Sequence, residues 1–349
     1  MQLLDQQPVE ITNSEQLAVE AEPVVHEPKP IALPDLGSTA IDDSLSIGEV
    51  AFAVLRRHFA AFLARQAGTR LGEDIEELHA MRVATRRLRA AMSLFADVLP
   101  GRAGRLRQEL GWIAGALGAV RDLDVQIAQV NTWLAEEKVS DGTALQALTS
   151  LFEGQRARAR KRLLGVLDSR RYARFVAAYT TLLQRGPQRS LYTARVPVLA
   201  VAPDLIGRRY RTARKAGDAI ADTSSPADYH ALRIKCKRLR YALEFLSDVY
   251  GKPAQALARR LVAVQDILGL HQDAQVAIAR LRELSVARGS KLPPQTIFIM
   301  GEIVQRYTQQ AAELRTQFPE AYRELKGEPW KRLRQVMDKR RVLPWKTRP

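Results

Sequence analysis

Cysteine is almost absent from this chain of 349 residues, which holds Cys236 and no other thiol. An intrachain disulfide is therefore impossible, and the fold must depend on its apolar core, as in proteins of the reducing cytoplasm. No uncharged apolar run approaches the roughly 18 residues of a membrane span. The N-terminus lacks the basic and apolar regions of a signal peptide. These absences predict a cytoplasmic protein that has no membrane partner.

Motifs of common catalytic and cofactor sites are also lacking. The sequence contains no glycine-rich phosphate loop, no H-E-x-x-H and no G-x-S-x-G. Its five histidines are not joined by cysteines or acidic residues at metal-ligand spacing. We therefore expect no catalytic residue, no metal site and no cofactor.

Acidic residues are scarce outside the N-terminus, whereas basic residues are abundant throughout the rest. The net charge is +16, and residues 1–45 hold nine of the 38 acidic residues but only one of the 54 basic residues. A positive surplus of this kind attracts phosphate polymers or acidic membrane surfaces. Aromatic residues make up 6% of the chain and show no pattern for base stacking. The composition favours a polyanion that is bound by its charge.

Helix-forming residues dominate from Ile47 onward. Ala, Leu, Arg, Glu and Gln are frequent there, apolar residues recur at helical spacing, and no convincing strand alternation occurs. Glycines and prolines predict breaks, of which the longest runs from Gly186 to Pro203 and a late one falls near Pro319. We therefore predict an all-α fold with long helices.

One helix start and both chain ends can be predicted from local composition. Ser225 and Pro226 form an N-cap and first helical position, so a helix should begin there and run to about Tyr250. Residues 1–45 are acidic, contain prolines and lack a sustained apolar period, which predicts a disordered tail. Residues 341–349 form a short basic C-terminal tail.

An internal repeat is the most informative feature of the sequence. Residues 77–98 read ELHAMRVATRRLRAAMSLFADV, and residues 228–249 read DYHALRIKCKRLRYALEFLSDV. The same offset of 151 positions pairs Asp122 with Asp273 further along the chain. A single register over such a span predicts a duplicated fold of about four helices in each half. The predicted halves are about 46–186 and 203–340.

Both copies of the repeated helix carry basic side chains on one face. On a helical wheel that turns about 100° per residue, these side chains share an arc opposite the apolar residues. Few acidic residues accompany them in the sequence, and like charges one turn apart destabilise a helix by a few tenths of a kcal/mol. An external anion with phosphate oxygens would relieve the repulsion. The candidate binding residues are His79, Arg82, Arg86, Arg87, Arg89, His230, Arg233, Lys237, Arg238 and Arg240. Further basic candidates on neighbouring helices are Arg57, Arg208, Arg211 and Lys215.

Simpler roles compete for some of these residues. A basic helical face is often only solvated, but its occurrence twice in register favours binding. The histidines could accept a phosphoryl group, although donation to a bound phosphate or a core hydrogen bond is the preferred interpretation. Asp122 and Asp273 are candidate catalytic or metal-binding acids, and we favour instead ion pairs with basic residues of other helices.

The two repeated segments resemble the CHAD family, the conserved histidine α-helical domain. The similarity lies in HAMRVATRRLRAAMSLF from His79 and HALRIKCKRLRYALEFL from His230, with LGAVRDLDV and LGLHQDAQV further on. It covers about residues 46–340. The resemblance implies two four-helix bundles related by pseudo-two-fold symmetry around a basic central groove. It also implies binding of inorganic polyphosphate, association with polyphosphate granules, and a binding role for the ten repeated-helix candidates.

The second copy departs from the first near its aspartate. Gln272 and Gln275 replace Arg121 and Asp124, so the halves need not contribute equally. The E-x-E-x-K signature of the triphosphatase domain to which some family members are fused is missing. The resemblance therefore implies no phosphatase activity.

Three functions follow from these observations, and the first is preferred. The leading hypothesis is a non-catalytic protein that binds inorganic polyphosphate in the cytoplasm, at granules. The second is a nucleic-acid-binding protein that uses the same basic surface, and weak non-specific binding of nucleic acid is expected in any case. The third is a phosphoryl-transfer enzyme, for which Asp122 and Asp273 are the candidate acids. The sequence leaves the oligomeric state open.

Overall fold

The structure, a computed structural model, describes residues 33–135, 142–286 and 292–343. Helices account for most of these residues, and no strand occurs among them, so the predicted all-α class is confirmed. The chain up to the middle contains α1 (Ile47–Ala64), α2 (Gln66–Leu71), α3 (Ile75–Leu94), a 3₁₀ turn (Ala96–Val98), α4 (Ala103–Ala135), α5 (Gly142–Leu167) and α6 (Arg170–Arg185). It continues with α7 (Tyr192–Arg195), α8 (Val198–Asp218), α9 (Pro226–Phe245), α10 (Ser247–Tyr250), α11 (Lys252–Val286), α12 (Pro294–Leu325) and α13 (Glu328–Arg340).

Helix boundaries repeat at the spacing of the sequence repeat. α3 and α9 start and end 151 positions apart, and so do the first residues of α1 and α8. The chain segments before α1 and α8 also bond to one another reciprocally. The amide of Ile47 donates to the carbonyl of Val196 at 2.8 Å, and the amide of Val198 donates to the carbonyl of Leu45 at 2.9 Å. These contacts favour the predicted pseudo-two-fold relation of two four-helix bundles, which stays a prediction.

Local capping places the two repeated helices. The Asp74 carboxylate accepts a hydrogen bond from the Glu76 amide at 2.8 Å at the start of α3. Ser225 and Asp228 form a reciprocal capping box at the start of α9, which confirms the predicted start. The helix ends at Phe245 rather than at Tyr250, because the backbone of Leu246 leaves the helical conformation before the short α10.

One predicted break is wrong, because Pro319 lies inside α12. The predicted break from Gly186 to Pro203 is present but ends earlier, since α6 ends at Arg185 and α8 begins at Val198 and contains Pro203. A proline inside a helix removes one backbone hydrogen bond. Burial of one face of each helix, with Pro203 and Phe318 in the core, offsets that loss.

The segment 33–45 is the other correction, because it lies against the helices and so shortens the predicted disordered tail. Leu36 is 5% exposed, and the carbonyls of Ser38 and Thr39 accept hydrogen bonds from Arg56 and Arg57 on α1. Asp43 pairs with Arg340 of α13. The rest of the predicted acidic tail, residues 1–32, lies outside the described residues. So do residues 344–349 of the predicted basic tail.

The core is continuous between the two halves. A large apolar cluster includes Phe59, Leu88, Leu239 and Leu261, and it spans α1, α3, α9 and α11. A smaller cluster joins the ends of α4, α5, α11 and α12. Within the described ranges, no helix combines the length and apolar character needed to cross a membrane.

Candidate anion-binding site

Packing of α3 beside α9 brings the two repeated basic faces together. Arg82 and Arg86 lie on α3, and Arg233, Lys237 and Arg240 lie on α9; we call these five residues the central cluster. Burial, followed by repulsion from Arg233 and Arg86, lowers the pKa of Lys237 to about 8. The pKa of Arg86 is lowered mainly by burial, with further repulsion from Arg82 and Arg240. Positive side chains from both halves therefore share one electrostatic environment.

Three guanidinium groups of the central cluster have unsatisfied donors. The Nε atoms of Arg86, Arg233 and Arg240 are buried and hydrogen-bond to no described residue, although a Glu244 carboxylate oxygen lies 3.1 Å from that of Arg240. A buried donor without a partner costs about 1–3 kcal/mol, and more when it carries charge. An oxyanion that entered between α3 and α9 would satisfy these donors and reduce the repulsion at once.

Asp122 and Asp273 lie beside the central cluster, one from each half. A carboxylate oxygen of Asp122 lies 3.6 Å from Arg82, so this acid does pair with a basic residue of another helix. Burial raises the pKa of Asp273, while the charges of Arg233 and Lys237 oppose the rise and that of Asp122 adds to it. The two acids thus partly neutralise the cluster. Among the described residues, no three His, Cys, Asp or Glu side chains gather in a metal-binding arrangement.

The two repeat histidines have different surroundings. The Nδ1 atom of His79 is buried without a hydrogen-bond partner in the described part of the chain. Burial, followed by repulsion from Arg121, lowers the pKa of this imidazole. His230 instead donates from Nδ1 to the side-chain oxygen of Gln272 at 2.6 Å. The replacement of Arg121 by Gln272, noted in the sequence, therefore changes how the second histidine is held.

Arg87 and Arg240 share a carboxylate that the sequence analysis missed. Glu244 lies 3.0 Å from Arg87 and 3.1 Å from Arg240, and its side chain is 26% exposed. Both guanidinium groups also lie within 6 Å of the Tyr241 ring centre. Glu244 is one turn after Arg240 in the sequence, so a wheel that included acidic residues would have found this pair.

Arg57 is also occupied by protein groups. It donates to Asp248 at 2.7 Å and to the carbonyl of Thr39 at 2.9 Å. The pKa of the neighbouring His58 is lowered to about 4, first by burial and then by repulsion from Arg87 and Arg57. Both arginines therefore lie close to His58. Arg57 therefore lies at the same end of α9 as Glu244, but it is already paired.

The remaining candidates are exposed and carry no ion pair to any carboxylate of the described residues. Arg208 and Arg238 are neighbours, since both repel the charge of Arg209, whose pKa is lowered first by burial. Arg89 lies beside α4, 3.8 Å from where a side chain at Gly111 would begin. Arg211 and Lys215 lie on α8, and no described contact joins them to the central cluster.

Arg209 is a basic residue of this region that the repeat did not reveal, because its equivalent position in the first half is His58 rather than an arginine or lysine.

Comparison with known proteins identifies the class of this fold. The family model of the CHAD domain matches residues 53–282, and the chain belongs to that family. A crystal structure of the CHAD domain from the plant Ricinus communis superposes with a TM-score of 0.66 at 26% identity, over 82% of this chain and 94% of that one. PptA from Streptomyces chartreusis has a similar fold, with a TM-score of 0.65 at 20% identity over 80% of this chain and 99% of that one. No curated protein matches the sequence.

Proposed function

We propose that this protein binds inorganic polyphosphate along the surface between α3 and α9 and does not catalyse a reaction. The buried, unpartnered Nε atoms of Arg86 and Arg233 carry this proposal. They lie on facing helices, so a linear chain of phosphates can satisfy both while it neutralises the charges around them. A polymer with dense charge and no bases needs no aromatic stacking surface, and none is patterned here.

The location in the cell follows from the same chemistry. Where polyphosphate gathers in granules, a protein that binds the polymer through the central cluster would be retained with it. We therefore propose a cytoplasmic protein that associates with polyphosphate granules. Colocalisation of the tagged protein with stained granules, and its dispersal in cells that lack polyphosphate, would support this location.

A titration with labelled long-chain polyphosphate across a salt series tests the binding proposal. We expect affinity to fall steeply with salt, and the double variant Arg86→Ala/Arg233→Ala to lose at least tenfold in affinity. The control Arg332→Ala/Lys339→Ala removes the same charge from exposed positions on α13 and should change affinity by less than about threefold. Equal losses in both double variants would overturn the assigned site.

The alternatives are outcomes of the same experiment. Duplex DNA that displaces polyphosphate at equal phosphate concentration would favour the nucleic-acid hypothesis. Release of phosphate from polyphosphate with magnesium or manganese, lost in Asp122→Ala, would favour the enzyme hypothesis. We expect neither, because no aromatic residues are patterned for base stacking and the acids near the cluster are engaged with basic side chains.

A further inference from the structure

The two ends of the basic surface differ in one acidic residue. At one end, Glu244 lies between Arg87 and Arg240. The repeat offset of 151 positions maps this triad onto Ser93, Arg238 and Arg89. The predicted pseudo-two-fold relation would bring these two arginines together at the other end, with serine in place of the carboxylate. We call the end with Glu244 the capped end and the end with Ser93 the open end.

A second pair of equivalent positions shows the same difference. Arg57 bonds to Asp248 at the capped end. The equivalent residues at the open end are Arg208 and Asp97, and no ion pair joins them in the described structure. Arg208 is exposed and lies near Arg209 and Arg238. Glu244 and Asp248 therefore both pair with arginines at the capped end. Neither Ser93 nor Asp97 forms the equivalent ion pair at the open end.

Burial makes the carboxylate of Glu244 difficult for a polyanion to displace. Its side chain is 26% exposed, and those of Arg87 and Arg240 are 31% and 19% exposed. Partly buried pairs are screened less by salt than exposed pairs. A phosphate that approached Arg87 or Arg240 would meet a negative charge already bound to both. At the open end, Ser93 brings no carboxylate to the equivalent arginines, and Asp97 forms no ion pair with Arg208 in the described structure.

We propose that the basic surface binds a polyphosphate chain asymmetrically, with Glu244 excluding phosphates from the capped end and Arg89, Arg208 and Arg238 holding them at the open end. Glu244 is a specificity-determining residue in this arrangement, because it sets how many phosphates the surface engages. The inference rests on the proposed function. It adds that the two halves of a repeated site bind unequally, which the repeated basic motif alone does not imply.

A reciprocal exchange of the two equivalent residues tests this inference. We expect Glu244→Ser to tighten binding of long-chain polyphosphate about threefold to tenfold and to steepen its salt dependence by about one to two ions. Ser93→Glu should weaken binding by a similar factor and flatten the salt dependence. The double exchange should return the affinity to within about twofold of the wild type, because it only moves the cap to the other end.

Controls separate this effect from net charge and from folding. Glu320→Ser removes an exposed acid on α12 and should leave affinity within about twofold of the wild type. If Glu244→Ser lowers the melting temperature, Ser93→Glu still decides the matter, since it adds a carboxylate to a basic region. If the wild type binds polyphosphate but Glu244→Ser and Ser93→Glu both keep its affinity and salt dependence, the proposed asymmetry is wrong while the proposed function stands. Failure of the wild type to bind would overturn the proposed function.

Discussion

Raising the pH from 7 to 9 should weaken polyphosphate binding about tenfold through Lys237. In the free protein, burial and the charges of Arg233 and Arg86 lower the pKa of this lysine to about 8. Lys237 is then about 90% protonated at pH 7 and about 10% protonated at pH 9. Bound phosphate would place negative charge beside the ammonium group, which favours its protonated form and raises the pKa again despite the burial. Binding above pH 8 therefore takes up nearly one proton, and affinity falls by about tenfold per pH unit at most.

Lys237→Arg provides the matched control. Arginine stays charged across this range, and Arg86 occupies the equivalent position of the first copy, so the variant should keep its affinity between pH 7 and pH 9. The measurement is a polyphosphate titration at several pH values at constant ionic strength. The α-amino group also titrates near pH 8, and the difference between the two proteins isolates the lysine. An equal decline in wild type and variant would refute the reasoning.

The remaining predictions concern stability. Gly217→Ala should lower the free energy of unfolding by about 1–3 kcal/mol, because a Cβ there would lie 2.2 Å from the Tyr322 ring. Gly269→Ala, with no neighbour within 4 Å, should instead be neutral or stabilising by up to about 1 kcal/mol, and urea unfolding would compare them. Arg160→Ala should cost about 1–3 kcal/mol, because its guanidinium donates to the carbonyls of Arg70 and Leu71 at 2.7 and 2.8 Å. The exposed neighbour Arg158→Ala should stay within about 0.5 kcal/mol of wild type, and equal costs for both variants would contradict this role.

The sequence predicted those parts of the fold that depend on local pattern. The repeat in one register correctly indicated equivalent helices, and Ser225 marked the start of α9. The break predicted near Pro319 was wrong, and the one after Gly186 ended before Pro203, because burial of a helix face outweighed the loss of one hydrogen bond. Helix propensity is a property of single residues, whereas the burial of a helix face depends on which other helices pack against it.

The residues of the candidate site could be predicted from the sequence, but their contacts between the two halves could not. The helical wheel placed Arg86 and Lys237 on basic faces, and the structure brings both into one cluster. The wheel of a single helix could not show that Arg87 pairs with Glu244 from the other half, or that Asp122 and Asp273 affect each other. Such interactions depend on how helices of the two halves pack, which a one-dimensional pattern does not specify.

Joining both repeats in one polypeptide has a consequence for how such a protein can change. The reciprocal bonds between the segments before α1 and α8 resemble a subunit contact in which the partners are covalently linked. In a pair of identical chains, any substitution would occur twice, once in each copy. Here each copy can vary independently, so an acid such as Glu244 can be introduced on one side while its counterpart, Ser93, stays neutral. Selection can thus adjust one side of the molecule without altering the other.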